Sequence, residues 1–204
     1  MIKESIMSVN FKESKTKENL MKAFAGESQA RNRYTYAAEQ AHEQNLHVLE
    51  EVFKFTAEQE RAHGKVFYEF LTDLSGENIS IEGTYPIDIS ESLEDLLGMA
   101  AHNENEEHDV VYKEFEQVAK EEGFDDVARA FFMIARVEKM HAERFEKFKK
   151  WMEENKLFVS DVSTAWMCLN CGHTIETKIA PTQCPVCGED QGYFVRVSLA
   201  PYTE

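Results

Sequence analysis

The sequence predicts a mostly α-helical fold: a bundle of four long helices, followed by a small domain with short β-strands built on a four-cysteine metal site. Three observations predict it. A Glu-x-x-His pattern with phenylalanines one and two turns later occurs twice, as Glu60, His63, Phe67 and Phe70 and as Glu138, His141, Phe145 and Phe148. Two further glutamates precede these at matched distances, Glu27 by 33 residues and Glu104 by 34. All four cysteines fall between positions 168 and 187. Helical residues three and four apart share a face, so each Glu and His points the same way and the phenylalanines carry that face into a core.

The bulk numbers narrow the function. The 204 residues suffice for one medium domain and a small one. A formal charge of −16 excludes nucleic-acid and anionic-membrane binding, which need a basic surface. The apolar runs are too short to span a bilayer. The first residues mix charge with isolated apolar side chains and lack a signal-peptide core, so a cytoplasmic location is expected. Crowded cysteines point to a metal knot rather than a disulfide framework.

Residues 1–16 read as an arm and 17–154 as the bundle. Thr16 is placed as the cap of a first helix to about His42, on which Leu20, Phe24, Glu27, Arg31 and Tyr34 share a face. Gly26 is expected to allow close packing, since glycine otherwise costs a helix roughly 1 kcal/mol. Asn45 marks a turn before a second helix, about His47 to Leu74. The stretch 75–90, with Gly76, Gly83 and Pro86, is long for a connection between neighbouring helices and fits a crossover. Ser90 resembles the cap of a third helix, which Gly123 stops; the fourth runs from about Asp125 to Asn155. Four long helices with one long middle connection describe a ferritin-like bundle.

The two halves repeat. Each supplies one helix with a bare glutamate, followed two turns on by Tyr34 or Tyr112, and one helix with Glu-x-x-His. That is the donor set of di-iron carboxylate bundles. Four carboxylates in an apolar core are costly unless paired, and two divalent cations would neutralise Glu27, Glu60, Glu104 and Glu138. Glu107, one turn after Glu104, can face the same cavity; its place in the first half is taken by Ala30. Glu39, Glu58, Glu114 and Glu153 read as solvated, and His42, His47, His102, His108 and His173 as surface or hydrogen-bonded histidines.

Residues 155–164 read as a linker and 165–204 as the small domain. Cys168, Cys171, Cys184 and Cys187 form two Cys-x-x-Cys knuckles, each closed by a glycine. Tetrahedral four-cysteine sites suit zinc or a single iron. Trp166, Tyr193 and Phe194 fit around either. A redox-capable bundle in the same chain favours iron, because it needs a source of electrons.

AFAGESQARNRY at 23–34, AEQERAH at 57–63, the Glu104/Glu107 pair, VEKMHAERF at 137–145 and the knuckles together resemble the rubrerythrin family over about residues 17–198. The resemblance implies a ferritin-like di-iron domain fused to a rubredoxin-like domain, reducing hydrogen peroxide to water in oxidative-stress defence. It implies Glu60 and Glu138 as bridging iron ligands, Glu27 and Glu104 as terminal ones, and His141 as a constant ligand. His63 and Glu107 match positions that exchange with redox state, and Tyr34 and Tyr112 would hydrogen-bond the ligands. The four cysteines would hold one iron, with zinc as a substitute. Expected partners are hydrogen peroxide, an electron-donating reductase or rubredoxin, and a second copy in a homodimer or larger assembly. A ferroxidase or iron-handling protein, and a di-metal bundle with a structural zinc ribbon, are the competing readings.

Overall fold

The computed structural model describes residues 9–201; the first eight residues of the expected arm and residues 202–204 lie outside the described residues. Five helices, α1 (Lys15–Glu43), α2 (His47–Glu69), α3 (Leu93–Glu106), α4 (Tyr112–Glu121) and α5 (Asp125–Glu153), make the bundle, and α3 runs into α4 through a π-helical turn at Glu107–Val111. Three strands, β1 (Val159–Cys168), β2 (Thr174–Ile179) and β3 (Phe194–Arg196), form an antiparallel sheet in the order β2-β1-β3.

The chain-order reading holds with local corrections. Ser14, not Thr16, caps α1, accepting from the Lys17 N–H at 3.0 Å. Thr16 is buried and donates its hydroxyl to Glu122 at 2.6 Å. Glu122 also accepts from the N–H groups of Lys15 and Thr16, so first-turn donors are satisfied from the other half of the bundle. Asn45, at φ +56°, makes the tight turn to α2. That helix stops at Glu69, and a 3-10 turn at Thr72–Leu74 finishes the stretch. Ser92 caps α3, while Ser90 accepts from the Ser92 N–H. Gly123, at φ +84°, follows α4 as expected.

The crossover carries no regular structure and is pinned by a few polar anchors. Asp88 pairs with Arg33 and accepts from Asn103 at 2.7 Å, and the Tyr85 hydroxyl donates to the Lys22 carbonyl at 3.1 Å.

Two apolar clusters sandwich the middle of the bundle. Leu49, Phe53, Leu97, Phe145 and Phe148 fill one, and Leu20, Phe67, Tyr112 and Phe131 fill the other. Each buried phenylalanine contributes roughly 1.5–3 kcal/mol. Phe70 is only half-buried, and Arg31 lies exposed, 3.5 Å from Glu58, rather than on the inward face. The close helix approach falls at Gly64, not Gly26: a Cβ there would stand 3.2 Å from the Glu27 Cβ, whereas at Gly26 the nearest atom is a tyrosine carbon at 3.8 Å. Gly64 thus lets α1 reach α2 beside His63.

In the small domain, Trp166, Cys168, Ala180, Cys184 and Phe194 form a separate core. β1 begins at Val159, so part of the stretch read as linker is strand. The domain rests on the α1–α2 turn, where the Tyr193 and His47 rings stack at 3.9 Å.

Candidate metal centres

Four helices bring six of the expected donors to one buried point. Glu27 comes from α1, Glu60 and His63 from α2, Glu104 from α3, and Glu138 and His141 from α5. They form two groups of converging atoms, Glu27, Glu60, His63 and Glu138, and Glu60, Glu104, Glu138 and His141. Glu60 and Glu138 belong to both. His63 Nδ1 lies 3.1 Å from Glu60 and 2.9 Å from Glu138, and His141 Nδ1 lies 2.9 Å from the other oxygen of each. The two rings are nearly parallel, 5.6 Å apart.

This donor set fits a pair of cations on a direct observation. Oxygens of Glu27, Glu60, Glu104 and Glu138 and both nitrogens of His141 are buried without a hydrogen-bond partner. His141 Nδ1 is close to two carboxylates yet in hydrogen-bond geometry with neither, as donors aimed at a common ion would be. Orphaned charged groups in an apolar core are expensive, and ions between them remove the cost.

The electrostatics point the same way. Burial pushes Glu27 and Glu104 well above the usual carboxylate range, and neighbouring carboxylates add to it. Burial would also raise Glu60, but His141 and His63 outweigh it and hold Glu60 at about 2. Burial would lower both imidazoles; the surrounding carboxylates instead hold His63 at about 9 and His141 at about 12. The cluster calls for positive charge.

The tyrosines cross between halves. Tyr34, on α1, donates to Glu104, and Tyr112, at the start of α4, donates to Glu27. Tyr112 follows Glu104 by eight residues where Tyr34 follows Glu27 by seven. The π turn between Glu104 and Tyr112 absorbs the extra residue and restores the common face.

Glu107 opens that π turn and joins neither group of converging donors. It is half-buried and lines a cleft of about 620 Å³ between α1, the crossover and the π turn. Burial, then Glu104, Glu138 and Glu60, push its carboxyl upward. It stands between the cleft and the cluster, and in this arrangement His63 is the converging donor.

The cysteine site is equally well formed. All four Sγ atoms converge, with Cys168–Cys187 and Cys171–Cys184 each 3.7 Å apart. A tetrahedron with metal–sulfur bonds of about 2.3 Å has edges of about 3.8 Å. Gly172 and Gly188 adopt positive φ and return their N–H groups to the carbonyls of Cys168 and Cys184. Burial pushes Cys168 up to about 12, whereas a backbone N–H at Glu189 and the Asn170 side chain hold exposed Cys187 at about 6.

A third convergence was hidden in the sequence. His42, at the end of α1, and His47, at the start of α2, both reach Glu50. The spacing His-x4-His-x2-Glu spans a helix end, so no single-helix pattern reveals it.

Comparison with known proteins gives concordant results. A profile described as Rubrerythrin matches residues 18–149, and one described as Rubrerythrin, rubredoxin-like domain matches residues 166–195. Rubrerythrin-1 of Clostridium acetobutylicum is 45% identical over 187 residues, 91% of this chain and 95% of its own. The rubrerythrin of Porphyromonas gingivalis is 41% identical over 192 residues, 94% of each chain. Among solved structures, nigerythrin in its fully reduced, all-ferrous state superposes with a TM-score of 0.61 at 26% identity, over 96% of this chain and 91% of that one.

Proposed function

The chain belongs to the rubrerythrin family, with its ferritin-like di-iron domain and its rubredoxin-like domain, and from that premise we propose that it is a non-haem peroxidase. It reduces hydrogen peroxide to water in cytoplasmic oxidative-stress defence. Electrons come from a reductase or a separate rubredoxin through the cysteine domain, and the working unit is a homodimer or larger assembly. The observation that carries the reading is the pairing, in one chain, of a carboxylate–histidine cluster with a four-cysteine site. Storing iron needs no attached electron donor.

Each peroxide needs two electrons and two protons to become two waters. When bound, paired irons would supply the electrons that cleave the O–O bond, and an iron held by the four cysteines would be a one-electron source to restore them. The chain's own residues do the rest. Glu60 and Glu138, common to both donor groups, would be shared by the two ions, while Glu27 and Glu104 would each serve one side. Tyr112 and Tyr34 hold those outer carboxylates through their hydroxyls, fixing which oxygen faces inward. His141, fully buried, is the constant donor. Glu107, on the cleft wall, would hold an oxidised metal pair in place of His63, since an anionic oxygen suits harder ions and a neutral imidazole softer ones. The cleft is the route by which peroxide arrives.

Anaerobic stopped-flow mixing of the reduced protein with peroxide, and separately with dioxygen, tests this. Faster oxidation by peroxide is expected. Much faster oxidation by dioxygen would replace the peroxidase with a ferroxidase.

A further inference from the structure

We propose that His42, His47 and Glu50 form a third metal site, taking one borderline divalent cation such as Zn²⁺ at the seam between the bundle and the cysteine domain. His42 Nδ1 lies 3.0 Å and His47 Nδ1 2.9 Å from the same oxygen, Glu50 Oε2. The other Glu50 oxygen is taken by Lys54 Nζ at 2.5 Å, which leaves Oε2 to face the two imidazoles alone. Tetrahedral zinc with nitrogen and oxygen ligands at about 2.0–2.1 Å sets its donors about 3.3–3.4 Å apart, so each imidazole need part from Glu50 Oε2 by only a few tenths of an ångström, and the three donor atoms already lie within 4.8 Å of one another.

The setting is built rather than incidental. His47 and Glu50 are buried, and they sit one turn apart at the start of α2. The Asn45 turn holds the end of α1, and so His42, against them. Stacking on Tyr193 fixes the plane of the His47 ring, as outer contacts orient metal-bound histidines. His42 remains exposed, which gives a cation a way in. A pocket of about 290 Å³, lined by these three residues with Leu169, Asn170 and Tyr193, leaves room for a water as fourth ligand.

Two imidazoles, one carboxylate and an open position form a zinc donor set, and neither of the other centres uses any of the three residues. Leu169 and Asn170 are the residues between Cys168 and Cys171. A cation here therefore ties the ends of α1 and α2 together where the first cysteine knuckle is seated.

Iron-loaded full-length protein titrated with zinc chloride in a calorimeter, while the ferric–thiolate absorption is followed, tests the site. One Zn²⁺ per chain is expected to bind with the colour unchanged. His42→Asn and Glu50→Gln should each weaken that binding by at least about tenfold. Because His42 is exposed, its variant keeps the fold, checked by helical circular dichroism. Absence of zinc binding, binding that persists in both variants, or uptake that bleaches the thiolate colour, and so reports zinc entering the cysteine site, would each overturn the proposal.

Discussion

At the scale of single residues, the symmetry of the bundle breaks at Glu107. The first half has Ala30 at that place, buried in the core, so only the second half carries a carboxylate one turn after its bare glutamate. Glu107→Ala is expected to leave binding of two ferrous ions intact and to change the visible spectrum of the oxidised site; an unchanged oxidised spectrum would remove Glu107 from the ligand set. Tyr112→Phe tests the crossing hydrogen bonds. It leaves a buried Glu27 oxygen without its donor, at a cost of about 1–3 kcal/mol in denaturant unfolding. The Glu-x-x-His donors were legible because each copy of the pattern lies within a single helix. The partners of the tyrosines were not legible: spacing places Tyr34 and Tyr112 on the right faces, but only tertiary packing decides that each serves the glutamate of the opposite half. The His42, His47 and Glu50 trio escaped for the same reason, since a turn separates its members.

At the scale of elements, helix periodicity gave the number and order of the long helices, while caps and one irregular turn were set by distant contacts. Thr16 has the right chemistry for a cap, yet Glu122 reaches across and takes over the first-turn donors. Burial would raise the Glu122 carboxyl, but the Thr16 hydroxyl and the N–H groups of Lys15 and Thr16 hold it below the usual range. A lowered folded value means stability that is present above about pH 4.3, the unfolded value, and lost as pH falls through the folded one. Glu122→Gln should therefore cost about 1 kcal/mol at pH 7, and denaturant midpoints of variant and parent should converge in acid. The π turn makes a different demand. Deleting exposed Val110 would put Tyr112 seven residues after Glu104, matching Glu27 and Tyr34. The shortened helix is expected to keep the face in phase, fold, and bind two irons, as counted by metal analysis. Failure to fold would mean the π turn does more than absorb the extra residue.

At the scale of the whole molecule, the question is how the small cysteine domain keeps a fixed seat on the bundle, whose apolar cluster includes Val195 and packs against Met167 and Leu169. One polar fastening is Arg196, at the end of β3. Its guanidinium donates to the carbonyls of Lys156, Leu157 and Val159, closing the segment that leaves α5. The same group lies 3.8 Å from the centre of the Trp151 ring on α5 and 4.8 Å from that of Trp166 in the domain core. A planar, delocalised cation can stack between two indoles and still donate in its own plane; an ammonium cannot do both. Arg196→Ala should therefore loosen the seat without emptying the cysteine site, whose sulfurs belong to other turns. The expected signature is an unchanged ferric–thiolate absorption, faster proteolytic cutting between residues 154 and 162, and slower reoxidation of the cysteine-held iron by the peroxide-oxidised bundle. Arg196→Lys should restore little of the protection, because charge alone does not supply the stacked fork. If the alanine variant lost its thiolate colour instead, Arg196 would be holding the domain's fold rather than its position. Equal proteolysis of parent and variant would shift the seat to the Tyr193–His47 stack at the α1–α2 turn.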